Sequence, residues 1–326
     1  MMHVDPHYSM FSKQLVTVQA LCDLNLFSLK NAYGGVQIHS RHSMPLLKKE
    51  KNKGYSIISN LAIRIGNDTW ELIAEGPKLY KNGIYFDGFE DFSHEEQGSP
   101  ILKTSFGPAG TYDAKEQDGS THYSAQKYVK GQRKNIVEYV FTFPDNLSNK
   151  VVFRGNRHYR MNFVEVHGFA SHSVQGFLGR TDKHGFFDRR GKDMLSKEES
   201  YLRRNKDTRF SIELFAQEWQ VGLDEPNLFM NESNYPVAPQ KCSFLGKGSI
   251  DGLVDSDIVD AGNDLTIMGE EARPRRKLFE VDEEVVLMAT EACEHLSDDN
   301  PKKKFCLKDV MVTEEPELAL DSFYEE

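Results

Sequence analysis

Tyr55-Ser-Ile-Ile-Ser-Asn-Leu-Ala-Ile-Arg-Ile65 places Tyr55, Ile57, Leu61, Ile63 and Ile65 on one side and Ser56, Asn60 and Arg64 on the other. Successive side chains of a strand point to opposite faces, so this period of two predicts a half-buried β-strand. Working outward, Asn135 to Phe143 repeats the pattern, with Val137, Tyr139, Phe141 and Phe143 on one face. Arg157 to Val164 sets Tyr159, Met161 and Phe163 against His158, Arg160 and Asn162. Turn signals separate the runs: Lys81-Asn82-Gly83 between Leu79-Tyr80 and Ile84-Tyr85-Phe86, then Gly98-Ser-Pro100, Gly107-Pro-Ala-Gly110 and Pro144-Asp145-Asn146. Short β-patterned runs without amphipathic helices between them predict a mainly β chain, folded as an antiparallel β-sandwich.

The pattern changes towards the C-terminus. Asp188 to Asp207 is highly charged and reads as a loop with some helical turns, and Gly246 to Gly269 is a linker rich in Gly, Asp and Ser. Val281, Val285, Met288, Ala289, Ala292, Cys293 and Leu296 recur at three- and four-residue spacing, which predicts an amphipathic helix. Asp282, Glu283 and Glu284 suit its positive N-terminal end. Pro301 follows it, then a second short run from Phe305 to Val312. Charge marks the same division. Residues 244–326 hold 22 acidic and 9 basic side chains, a net of −13, and residues 1–243 hold 28 and 31, a net of +3. The expected organisation is a β domain over 1–243, an acidic linker over 244–270 and an acidic helical segment over 271–326.

Composition narrows the function. The 326 residues are 39% hydrophobic and 11% aromatic, enough for a sizeable core. The longest apolar run, Val285 to Ala289, is five residues, so no transmembrane segment is expected. A net charge of −10 opposes nucleic-acid binding. Cys22, Cys242, Cys293 and Cys306 lack zinc-site spacing, and permit either two disulfides or four buried thiols. The acceptor triplets at Asn67, Asn146 and Asn231 are candidate glycosylation sites that lean towards secretion. Met1-Met2-His3-Val4-Asp5 carries no signal-peptide pattern, so the protein is cytosolic or the chain lacks its true N-terminus. There is no GxSxG elbow, HExxH helix, Walker loop or GxGxxG turn, so no enzyme is expected. His167, His172 and His184 near Asp182 and Asp188 read either as surface residues or as a metal site. Lys48-Lys49-Glu50-Lys51-Asn52-Lys53 reads as an exposed hairpin tip.

Five segments, in order, resemble the von Willebrand factor type D domain. They are Asp5-Pro6-His7-Tyr8 with Phe11; Cys22-Asp23-Leu24; Tyr55 to Asp68 with Asn82-Gly83 beyond; Gly176-Phe-Leu-Gly179; and Phe215-Ala-Gln-Glu-Trp219-Gln-Val221. Val4 stands in the place of the family's glycine and Leu178 in that of a cysteine, so the resemblance is to a cysteine-poor variant. It implies a disulfide between Cys22 and Cys242, and a final strand whose Trp219 is buried. It also implies a calcium site in Arg180-Thr-Asp182-Lys-His-Gly-Phe-Phe-Asp188, with Asp5, Asp182 and Asp188 as donors; Arg180 and Phe187 stand where oxygen donors belong. Cys293 and Cys306 would then staple the C-terminal helices.

The resemblance implies a non-catalytic, secreted or cell-surface structural and adhesive module, a fragment of a longer chain, with protein or extracellular-matrix partners. Two other classes stand beside it: an intracellular β-sandwich binding a glycan, with free thiols, and a metal-dependent hydrolase built on His167 to Asp188. Some family members cleave themselves between Asp and Pro in Gly-Asp-Pro-His. A β-branched Val4 resists the backbone angles a glycine reaches, so ordinary slow acid lability is expected at Asp5-Pro6.

Overall fold

The computed structural model describes residues 7–11, 15–44, 56–89, 108–115, 121–130, 136–144, 146–156, 161–183, 185–194, 212–222, 225–230, 242–244, 249–251, 283–294, 296, 303, 306, 307 and 310. Apolar runs broken by turn residues build antiparallel sheets, as the alternation predicts. One sheet has seven strands: β4 (Asp23–Leu29), β5 (Val36–Ser43), β6 (Ile57–Ile65), β7 (Asp68–Ile73), β8 (Lys78–Lys81), β9 (Ile84–Tyr85) and β15 (Val174–Gln175), in the order β15-β4-β5-β6-β7-β8-β9. A second is a five-stranded meander of β10 (Pro108–Lys115), β11 (Thr121–Lys130), β12 (Ile136–Phe143), β13 (Asn146–Asn156) and β14 (Met161–His167). The Lys81-Asn82-Gly83 signal is a tight hairpin, with φ of 50° at Asn82 and 80° at Gly83, angles that Asn and Gly tolerate.

The two sheets pack face to face on aromatic side chains. Trp70 of β7 meets Phe141 of β12 at 5.8 Å and Tyr112 of β10 at 5.3 Å between ring centroids. Its Nε1–H donates to the Tyr123 hydroxyl of β11 at 2.7 Å, which satisfies a polar atom that burial would otherwise penalise. The Asn162 amide of β14 donates to the Ser59 and Leu72 carbonyl oxygens at 2.8 and 3.0 Å, joining the second sheet to the first. Phe141, Phe143 and Phe153 are fully buried, and each contributes roughly 1.5–3 kcal/mol as an upper value.

Two smaller sheets accompany them. β1 (His7–Ser9), β2 (Leu15–Thr17) and β17 (Ser249–Asp251) form one, and β3 (Ala20–Leu21) with β16 (Ser243–Phe244) the other. α1 (Ile212–Glu218) and α2 (Glu283–Ala292) are short helices. Ala289, Cys293, Leu296, Cys306 and Val310 bury a second apolar cluster, apart from that of the sandwich.

Four expectations need correction. β6 and the residue before it are not half-buried: Ser56, Ser59 and Asn60 are as buried as the apolar residues, with Ser56 bonded to Gln19 and Asn60 to Glu71. Phe215 to Glu218 is helix, not strand, since Ile212, Phe215, Ala216 and Trp219 are buried at helical spacing. Pro108 to Gly110 is not a turn but the start of β10, where a proline is tolerated because its missing N–H falls at a sheet edge. The expected linker begins too early, since Phe244 belongs to β16 and Ser249–Asp251 pairs with β2. Gly98 to Pro100, Lys48 to Lys53 and most of Asp188 to Asp207 lie outside the described residues.

Candidate functional site

Gly176 to Gly179 lies against β4, where Phe177 and Leu178 donate N–H groups to the Asn25 and Leu26 carbonyl oxygens at 2.9 and 3.0 Å. Gly176 has φ of 149°, and a Cβ there would stand 2.2 Å from the Leu26 oxygen, so only glycine fits this approach. The chain then enters the Arg180 to Asp188 loop. Arg180 grips Asp182 through two parallel bonds, Nε to Oδ1 at 2.8 Å and Nη2 to Oδ2 at 2.7 Å. This bond lowers the Asp182 pKa, although water screens the pair at an exposed position. The Asp188 carboxylate accepts the backbone N–H groups of Arg190 and Lys192 at 2.9 and 2.8 Å, closing its own turn.

The described residues of this loop are not arranged around a cation. Asp182 is gripped by a guanidinium and Asp188 Oδ1 serves two backbone N–H groups, which leaves few uncommitted carboxylate oxygens in this loop for a cation that takes six to eight. Among the described residues no group of three or more His, Cys, Asp and Glu is placed to hold a metal ion. His167 sits exposed beside Glu165 at 3.2 Å, and His172 packs on Tyr33 and Phe169. His184, Asp5 and Pro6 lie outside the described residues. The metal-hydrolase reading therefore has no assembled site among the described residues.

The cysteines are paired. Cys22 bonds Cys242 across 220 residues with Cα atoms 4.8 Å apart, and Cys293 bonds Cys306 with Cα atoms 5.9 Å apart. Trp219 is buried next to the first bridge, and its Nε1–H donates to the Phe187 carbonyl at 3.0 Å. The glycosylation candidates Asn67 and Asn146 are both exposed, one at the β6–β7 hairpin and one at the start of β13; Asn231 lies outside the described residues.

The polar outer face of the seven-stranded sheet went unseen in the sequence. Asp23 and Asn25 of β4, Gln37, His39 and Arg41 of β5 and Arg64 of β6 share it, by register. Residues 225–230 run across it. Glu225 accepts from Asn25 Nδ2 at 2.5 Å and Gln37 Nε2 at 2.6 Å, and pairs with Arg189 at 2.8 Å. Asn227 donates to Asp23 at 3.0 Å, and the Phe229 ring stacks on the Arg41 guanidinium 4.4 Å away. Arg41 itself forms a bidentate pair with Asp23, 2.9 Å at both contacts. Burial pushes the Glu225 carboxyl up, but the charges and hydrogen bonds around it, the Arg189 guanidinium at 2.8 Å among them, outweigh it and bring it down to about 2. The sequence signal was only the presence of five polar side chains, Asp23, Asn25, Gln37, His39 and Arg41, in strand-like runs.

No family model matches the chain, and no curated protein matches it.

Proposed function

We propose that this chain is a non-catalytic structural and adhesive module of the extracellular space, resembling a von Willebrand factor type D domain. The observation that carries the reading is the Cys22–Cys242 bridge, which joins the start of the sheet to the residue that follows the Trp219 segment. This is the pairing the resemblance implies. The Gly176 to Gly179 turn packed on β4 and the buried Trp219 support it further. Disulfides persist in oxidising compartments, so two of them favour a secreted or cell-surface location. No described helix is long and apolar enough to cross a membrane. Its partners are proteins or extracellular matrix, and exposed Asn67 and Asn146 are positioned to carry glycans.

Parallel expression behind a secretory leader and in a reducing cytosol tests this. The expected result is a soluble secreted product with both bridges formed, glycan on Asn67 and Asn146, and saturable binding to immobilised matrix proteins. A product that folds only in the reducing cytosol, with four titratable thiols, overturns it.

A further inference from the structure

Residues 225–230 cross the sheet as a strap, and the described residues that flank it in the chain, Val221 and Cys242, are fixed at one place. Upstream, Gln220 bridges Leu24 and the Val221 N–H donates to the Asp23 carbonyl at 2.9 Å. Downstream, Cys242 is bonded to Cys22, and its N–H donates to Gln220 Oε1 at 3.0 Å. The grip of the described residues 225–230 on the sheet is mostly polar: Glu225 on Asn25 and Gln37, Asn227 on Asp23, and the Met230 N–H on Glu71 at 3.1 Å. Leu228 is the fully apolar side chain that the described strap buries. Segments with few buried apolar contacts open first in a folded protein.

Beneath the strap lies His39, completely buried, its ring 6.4 Å from that of Phe229. Neither ring nitrogen has a hydrogen-bond partner, and Nε2 stands 3.8 Å from Glu225 Oε1, beyond hydrogen-bond reach. The charged groups around it are Glu225 of the strap, Asp23 of β4, Arg41 on its own strand and Arg64 of β6, with Arg189 on the far side of Glu225.

We propose that residues 225–230 are an acid-released strap: protonation of His39 lifts them from the sheet and uncovers the Asn25, Gln37, His39 and Arg41 face, while the Cys22–Cys242 bridge keeps the segment tethered. In the closed state burial pushes His39 down, against the pull of Glu225 and Asp23. Opening returns the ring to water, where it takes a proton near its ordinary value of about 6.5. Proton uptake thus draws the strap open as pH falls below 6.5. Glu225, brought down to about 2, keeps its charge throughout this range and is not the sensor. The proposal is independent of the adhesive reading, since it concerns an intramolecular contact.

Hydrogen exchange of the full oxidised chain, corrected for intrinsic rates, at pH 7.5, 6.5 and 5.0 tests it. The open fraction of residues 225–230 should rise up to about thirtyfold between pH 7.5 and 5.0, the limit for one proton gained. His39→Gln should abolish that rise at the strap and leave any change in β12 as it was. A strap equally protected at every pH, or a His39→Gln strap that still opens with acid, overturns the proposal. Should His39→Gln fail to protect β12, the NMR titration of the His39 ring in the unmodified protein decides. A midpoint clearly below the ordinary histidine value supports linkage to closure, and an ordinary midpoint near 6.5 overturns it.

Discussion

His42 shows how one buried side chain sets an acid limit. Its Nε2 lies 2.5 Å from the Tyr8 hydroxyl and 3.1 Å from that of Ser40, where the neutral ring can accept a hydrogen bond. Burial pushes its pKa down to about 3. The folded value lies below the unfolded one, so the stability is complete above about 6.5 and is lost as pH falls towards 3. By pH 5 the loss is about 2 kcal/mol. Urea unfolding should show this difference between pH 7.5 and 5.0, and His42→Gln should shrink it; an unmodified protein equally stable at both contradicts the assignment. Trp219 gives a second test. Trp219→Ala should cost about 3–5 kcal/mol and Trp219→Phe about 1 kcal/mol for the lost bond to Phe187, read from the same unfolding curves. The burial of Trp219 is what the resemblance implied, although the segment before it is helix and not the expected strand. The roles of His39 and His42 were not legible in the sequence, because their burial comes from Glu225 and Tyr8, remote in the chain.

At the scale of elements, legibility followed the uniqueness of the period. β12 carries a clean alternation over eight residues, Ile136 to Phe143, and formed as read. Ile212 to Val221 carries two periods at once: Phe215, Trp219 and Val221 fit a strand, while Ile212, Phe215, Ala216 and Trp219 fit a helix. Packing of Phe215 against Phe177 and Phe186 decided for the helix. The C-terminal helix was read from its stripe and its cysteine alike. Among the described residues its buried cluster holds Ala289, Cys293, Leu296, Cys306 and Val310, and the Cys293–Cys306 bridge lies within it. Closing a loop of 13 residues restricts the unfolded chain by roughly 3 kcal/mol. The Cys293→Ser, Cys306→Ser double variant should therefore lose the protection of α2 amides in hydrogen exchange. The melting of the sandwich, which has its own core, should stay where it was. A variant that keeps α2 protected shows that packing alone suffices.

For the whole molecule, the acidic C-terminal composition and the fold have different boundaries. Charge changes after Cys242, yet β16 and β17 continue past it to pair with β3 and β2, so the chain returns to its own beginning before it leaves the sandwich. Composition records solvent-facing charge, whereas pairing depends on backbone groups that every residue carries. The Cys22–Cys242 bridge sits at this return and closes 220 residues, for which chain entropy gives roughly 5 kcal/mol as an upper figure. Pairing of β16 with β3, and the Leu24–Gln220 bridge, hold the same junction without the covalent bond. The Cys22→Ser, Cys242→Ser double variant should thus still fold to the same sheets. Its urea midpoint should fall, and its m-value should rise, because an unbridged unfolded chain exposes more surface. The loss of stability should stay at or below about 5 kcal/mol and should act on the unfolded ensemble. An unchanged midpoint would mean that the hydrogen-bonded return already restricts the chain as much as the bond does.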